Sequence, residues 1–175
     1  MKYVAFLRAI NVGGNAIIKM ADLKQMFESA GLDLNDVQTY IQSGNVIFES
    51  EADASSLEKQ LEGRLENAAR YPIRLFVRTM QEVQAIGEKS PFRAQEGEMV
   101  YVTFLSKKPG KKDQQALLSF KSEADDFAFQ RREVYSLRRD REASIFSNNF
   151  LEKILKTSTT TRNLTTIKKI VEKYQ

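Results

Sequence analysis

Cysteine and histidine are both missing from the sequence. Without cysteine there is no disulfide and no thiolate nucleophile. Without either residue there is no zinc site of the Cys/His type and no imidazole base. A Ser-His-Asp triad within one chain is excluded for the same reason. Any chemistry falls to Asp, Glu, Lys, Tyr, Ser or Thr, and no metal site and no cofactor is expected. Long apolar runs are missing too: nothing approaches the roughly 20 apolar residues of a membrane span. The apolar start, MKYVAFLRAINVGG, is broken by Arg8 and Asn11, and no small-residue cleavage site follows. It reads as a first strand and not as a signal peptide. Together these absences give the expectation of a soluble cytoplasmic protein with no membrane partner.

What is present suits a folded domain. Apolar residues make up 42% of the 175 residues and charged residues 29%, which suffices for a core and an ordinary solvated surface. The net charge of +4 is unevenly spread. Residues 1–78 hold 9 Lys/Arg against 10 Asp/Glu, whereas residues 79–175 hold 18 against 13. The basic second half is compatible with a polyanionic partner such as nucleic acid, and equally with a lysine-rich solvated face.

The pattern along the chain specifies elements. KYVAFLRAI is apolar and β-rich, a strand over about residues 2–10. MADLKQMFESAG follows with Leu23, Met26, Phe27 and Ala30 on one helical face, and Gly31 suits the left-handed position after the last turn. VQTYIQSGNVIFES gives two extended segments joined by a tight turn at QSGN. SSLEKQLEGRLENAARY is a helix, capped by Ser55 or Ser56, with Leu57, Leu61 and Leu65 in one row. PIRLFVR closes the unit as a strand with Pro72 at its start. The order β-α-β-β-α-β within residues 1–78 is the ferredoxin-like split β-α-β pattern.

Residues 79–175 partly follow the same plan. TMQEVQAIGEKSPF is a short helix, GEMVYVTFLS a strand, and KKPGKKDQQALLSF a basic turn leading into a helix. DDFAFQRREVYSLRRD is a hairpin turning near Gln130–Glu133. FSNNFLEKILK and NLTTIKKIVEKYQ are helices, the first capped by Asn148. A fourth strand is not evident here, and the identity between the halves is too low to read a repeat directly from the sequence. The fold class is therefore α+β, two ferredoxin-like halves packed together, the second atypical, with the boundary near Thr79.

Three polar stretches stand out. In FLRAINVGGNAIIKM, Gly13 and Gly14 can expose backbone N–H groups, Asn11 and Asn15 offer amides, and Arg8 offers a fork suited to phosphate or carboxylate. Arg8 shares a strand face with Val4, Phe6 and Ile10, where a charge has to be paired or at a sheet end. The alternative is a structural arginine beside a glycine turn. The stretch lacks the spacing of a dinucleotide fingerprint or a P-loop. In YIQSGNVIF, Gln42, Ser43 and Asn45 crowd hydrogen-bonding groups around a turn that needs Gly44 for its backbone alone. In TSTTTRNLTT, seven hydroxyls surround Arg162 and Asn163. Asn163 can cap the final helix, leaving its first N–H groups near an anion; the alternative is a capped loop with a salt-bridged arginine. Two basic clusters rank lower, Lys107, Lys108, Lys111 and Lys112 around Pro109-Gly110, and Arg131, Arg132, Arg138, Arg139 and Arg141. Aromatics among them, such as Tyr101 and Phe129, read as core more than as a stacking surface.

FLRAINVGGNAIIKMADLKQMFESAG, VQTYIQSGNVIFES and TTRNLTTIKKI together resemble the bacterial family called domain of unknown function 1697. The resemblance runs through essentially the whole chain. It rests most on Arg8, Asn11, Val12, Gly13 and Gly14, on Gln42, Ser43, Gly44 and Asn45, and on Arg162 with Asn163. It implies a two-part α+β protein with ferredoxin-like halves, and no particular activity. The family pattern has glycine where this chain has Ala9 and tryptophan where it has Leu164, so a stacking surface carried by that aromatic would be absent here.

Two function classes follow. One is a binding module in which Arg8, Asn11, Gly13, Gly14, Asn15, Gln42, Ser43, Asn45, Arg162 and Asn163 hold a small anionic or nucleotide-like ligand. The other is an enzyme using a carboxylate or Tyr base; no acid stands beside the three motifs. A structural or protein-interaction domain is the plain alternative. In the simple ferredoxin-like topology, the loop after the first strand and the hairpin turn are expected at opposite ends of the sheet, which opposes their convergence.

Overall fold

A computed structural model describes residues 1–8 and 17–175. Two compact units emerge, Met1–Ala85 with Ile170–Gln175, and Ile86–Lys169. In the first unit the order is β1 (Lys2–Leu7), α1 (Met20–Glu28), β2 (Asn35–Tyr40), β3 (Asn45–Glu49), α2 (Ala54–Ala69) and β4 (Leu75–Thr79), followed by α3 (Met80–Glu88). The strands form one antiparallel sheet in the order β2-β3-β1-β4. The order continues with β5 (Met99–Leu105), α4 (Lys111–Leu118), β6 (Asp125–Gln130), β7 (Glu133–Arg138), α5 (Asn148–Leu155), β8 (Thr159–Asn163) and α6 (Leu164–Tyr174). Their sheet runs β6-β7-β5-β8. The protein is thus α+β with two four-stranded antiparallel sheets and six helices among the described residues.

The second half carries the fourth strand that its sequence hides. TTTRN, expected to be loop, is β8. Threonines have β propensity but look like a loop when no apolar alternation accompanies them. The two sheets then have the same connectivity, β5 to β8 taking the places of β1 to β4.

Burial explains why the inner strands read as continuous apolar runs. Tyr3, Ala5 and Leu7 join Leu23, Phe27, Leu57, Leu61 and Leu65 in the core beneath α1 and α2. Val4 and Phe6, on the other face of β1, are fully buried as well. A strand buried on both faces loses its polar alternation. In the second sheet Leu105, Phe127 and Val134 pack with Leu117, Leu151 and Leu155 of α4 and α5.

Local signals set the helix ends. Gly31 does adopt a left-handed φ of +67°. The cap of α2 is Asp53, not Ser55 or Ser56; its carboxylate accepts from the Ser56 N–H at 2.9 Å and the Ser55 hydroxyl at 2.6 Å. Ser147, not Asn148, caps α5, accepting from the Phe150 N–H at 3.0 Å. Asn163 caps α6, accepting from the Thr165 N–H at 2.9 Å. No helix among the described residues is long and apolar enough to cross a membrane.

Helix acids close one edge of each sheet. β4 is an edge strand, and its outward N–H groups at Val77 and Leu75 donate to Glu58 (2.9 Å) and Glu62 (3.2 Å) of α2. On β8 the Thr159 N–H donates to Glu152 of α5 at 2.8 Å, while the Thr159 and Thr161 hydroxyls donate to Asn148 Oδ1, each at 2.9 Å. These bonds satisfy groups that would otherwise template pairing with another chain.

Candidate ligand site at one end of the first sheet

The end of β1 and the β2–β3 turn lie side by side. β1 pairs antiparallel with β3, so the last residues of one adjoin the first of the other. Phe6 stands opposite Asn45, and the Leu7 N–H donates to the Gly44 carbonyl at 2.8 Å. The expectation of opposite ends is therefore overturned by the strand order: β3 lies between β2 and β1, and its start, which leaves the β2–β3 turn, adjoins the end of β1. Arg8 follows directly, half-buried, its N–H donating to the Arg74 carbonyl at 2.8 Å.

The turn itself is tightly built. Asn45 is fully buried, and its amide donates to the Tyr40 carbonyl at 2.8 Å and to Ser43 Oγ at 2.9 Å. Gly44 adopts a φ of +80°, where only glycine is at ease. Ile41 also has a left-handed φ, +49°, and its side chain is 48% exposed. A β-branched residue in that region is an outlier, held there by its surroundings. Gln42 and Ser43 are exposed beside it.

Of the sequence-derived candidates, the first sheet thus brings together Arg8, Gln42, Ser43 and Asn45. Asn11, Gly13, Gly14 and Asn15 lie outside the described residues. Arg162 and Asn163 belong to the second sheet. Arg162 is buried on β8, where its Nη1 donates to Thr160 Oγ1 at 2.8 Å and to the Thr161 carbonyl at 2.9 Å. Burial pulls its pKa down to about 10, so it stays a cation at neutral pH. Asn163 reaches a cleft of about 480 Å³ in the second unit, where Glu88, Glu98, Arg93 and Lys168 mix both charge signs.

Sequence reasoning passed over Arg78. It is fully buried on β4, and its Nη1 donates to the Val77 carbonyl at 3.0 Å. The signal that finds it is local repetition. RTMQEVQAIGEK from Arg78 and RNLTTIKKIVEK from Arg162 share Arg, Ile, Glu and Lys at equal spacing, and YVAFL of β1 matches YVTFL of β5. The two sheets place these segments in the same register.

The fold defines an α+β protein of two like-connected antiparallel sheets. The chain belongs to the family described as Protein of unknown function (DUF1697), which matches residues 1–135. The Arg8 and Gln42–Asn45 motifs fall inside the matched region, and Arg162 and Asn163 lie beyond it. A conserved bacterial protein of Streptococcus pneumoniae, SP0830, has a similar structure, with a TM-score of 0.76 and 23% identity over 98% of this chain and 96% of that chain. At that identity the likeness is one of fold. No curated protein matches the sequence.

Proposed function

We propose that the protein is a binding module for a small anionic or nucleotide-like ligand, held where Arg8 meets the Gln42–Asn45 turn. One observation carries this reading: antiparallel pairing of β1 with β3 puts a guanidinium-bearing residue beside a rigid turn with exposed amide and hydroxyl groups. Arg8 supplies a planar fork matched to phosphate or carboxylate oxygens. Gln42 and Ser43 supply neutral donors. The strained Ile41 supports a functional role for the turn, since such strain collects at binding sites. No observation favours the enzyme alternative over binding.

The test is a thermal-shift screen with phosphate, pyrophosphate, nucleotides and sugar phosphates, followed by titration calorimetry on any hit. A ligand at 100 times its Kd stabilises by about 2.7 kcal/mol, which raises Tm by roughly 5–10 °C for a protein of this size. Arg8→Gln is expected to abolish the shift measured against its own ligand-free Tm. A hit that binds Arg8→Gln unchanged, or a screen with no hit, sinks the proposal.

A further inference from the structure

The two basic stretches of the second half are separate in sequence and adjacent in the fold. β5 ends at Leu105, β7 begins at Glu133 opposite Phe104, and β8 begins at Thr159 opposite Leu105. The β5–α4 loop, the β6–β7 turn and the approach to β8 therefore share one end of the second sheet. The Leu105 N–H donates to the Arg132 carbonyl at 2.9 Å, which ties the first two together. This brings Lys107, Lys108, Lys111 and Lys112 beside Arg131 and Arg132. Lys156, in the turn before β8, adds a further cation at the same end.

Lys107, Lys108, Lys111, Lys112, Arg131 and Lys156 are all exposed. The acids at this end do not balance them. Glu133 is buried, Asp113 is half-buried in the first turn of α4, and Glu152 is engaged by the Thr159 N–H. The opposite end of the sheet differs: there Asp126 pairs with Lys121 at 3.2 Å and Arg139 at 3.4 Å. Placement runs against local electrostatics as well. Lys111 and Lys112 occupy the first turn of α4, where the helix dipole favours acids. Cations gathered from separate loops against that preference point to an anion outside the chain.

We infer that this end of the second sheet docks the phosphate backbone of a nucleic-acid duplex. The span favours a polyanion over a single phosphate. The turn, the loop and the start of β8 sit across about three strand spacings, roughly 14 Å at ~4.8 Å each, comparable with the ~12 Å major groove. A membrane fits less well, because the exposed large apolar residues of this unit are Phe120 and Ile145. Phe120 follows the far end of α4, and the Ile145 N–H bonds Asp125 at the start of β6. A single strand fits less well because no exposed aromatic for base stacking lies among these cations. Contacts to phosphate alone predict binding without sequence preference.

The experiment is fluorescence anisotropy of a labelled 20-base-pair duplex titrated with the full chain from 50 to 150 mM salt. Five phosphate contacts give a slope of log K against log salt of about −4.5, roughly a hundredfold loss across that range. The variant Lys107→Gln/Lys108→Gln/Lys111→Gln/Lys112→Gln is expected to bind at least tenfold more weakly at 50 mM with a shallower slope, and to keep its circular dichroism because all four side chains are exposed. Arg139→Gln/Arg141→Gln, at the other end of the sheet, is expected to bind within twofold of the parent chain. No binding at 50 mM salt overturns the inference. So does the same loss per charge removed in both variants, which would reflect net charge alone, and so does tighter binding to a single strand or to phosphatidylserine vesicles.

Discussion

Arg78 and Arg162 hold the same place in their two sheets. Arg78 stands opposite Val4 and Arg162 opposite Val102, and each donates from Nη1 to the carbonyl of the residue before it. Each is the penultimate residue of an edge strand and is followed by a helix, α3 capped by Thr79 and α6 by Asn163. A buried charge survives only where hydrogen bonds and partners offset its desolvation. The recurrence of so costly a residue at one register position is more telling than recurrence of a leucine would be.

Arg162→Met is therefore expected to destabilise the fold although it removes a buried charge. Methionine removes the charged donor to Thr160 Oγ1 and the Thr161 carbonyl. Losing hydrogen bonds to a charged group costs about 1.5–3 kcal/mol, a fall of several degrees in Tm for a chain of this size. Arg162→Lys is expected to recover only part, because an ammonium lacks the fork. Urea unfolding of the three proteins decides it; a Met variant as stable as the parent would mean the arginine serves no structural purpose.

The first half was legible because each of its signals is local and apolar: Leu57, Leu61 and Leu65 at helical spacing, Gly31 after a helix, a glycine turn before VIF. The second half hides β8 because its residues are threonines flanking a buried arginine, and polarity in a sequence reads as exposure. The candidate site was legible as residue types and not as geometry. Arg8 and Gln42–Asn45 carry the chemistry in sequence, but their adjacency depends on strand order, which local patterns do not encode. The shared end of the second sheet has the same origin, since only pairing of β5 with β7 and β8 joins Lys107 to Arg131.

Glu58 and Glu62 shield the β4 edge. Replacing both with Ala frees the N–H groups of Val77 and Leu75. The expected result is a loss of about 1–3 kcal/mol for each bond, accompanied by concentration-dependent self-association as the strand edge opens. Gln at both positions keeps an acceptor and is expected to stay monodisperse to the same degree as the parent. Sedimentation velocity of the two variants separates the outcomes, and an Ala variant that sediments like the parent removes the protective role.

Ile41 offers a trade between stability and binding. Its φ of +49° is strained for a β-branched residue, whereas Asn tolerates that region. Ile41→Asn is expected to raise stability by about 1 kcal/mol, the order of the left-handed penalty, or roughly 2–4 °C in Tm. If the turn holds a ligand, affinity falls in the same variant. A lower Tm would show that packing of the isoleucine outweighs its strain.

Asp53 gives a pH test of a single cap. Hydrogen bonds from the Ser55 hydroxyl, then from the Ser56 N–H, hold its carboxyl below the usual range despite some desolvation. The folded form thus binds the proton less readily than the unfolded chain. Its contribution is fully present above the unfolded pKa near 3.9 and is lost as pH falls through the lower folded value. Asp53→Ser keeps a capping oxygen for the Ser56 N–H but cannot titrate. At pH 7 the two proteins are expected to unfold at similar urea concentrations. Below pH 4 the parent should lose stability faster than the serine variant, narrowing or reversing any difference between them. Parallel urea midpoints across the whole acid range would mean that the Asp53 carboxylate does not couple protonation to folding.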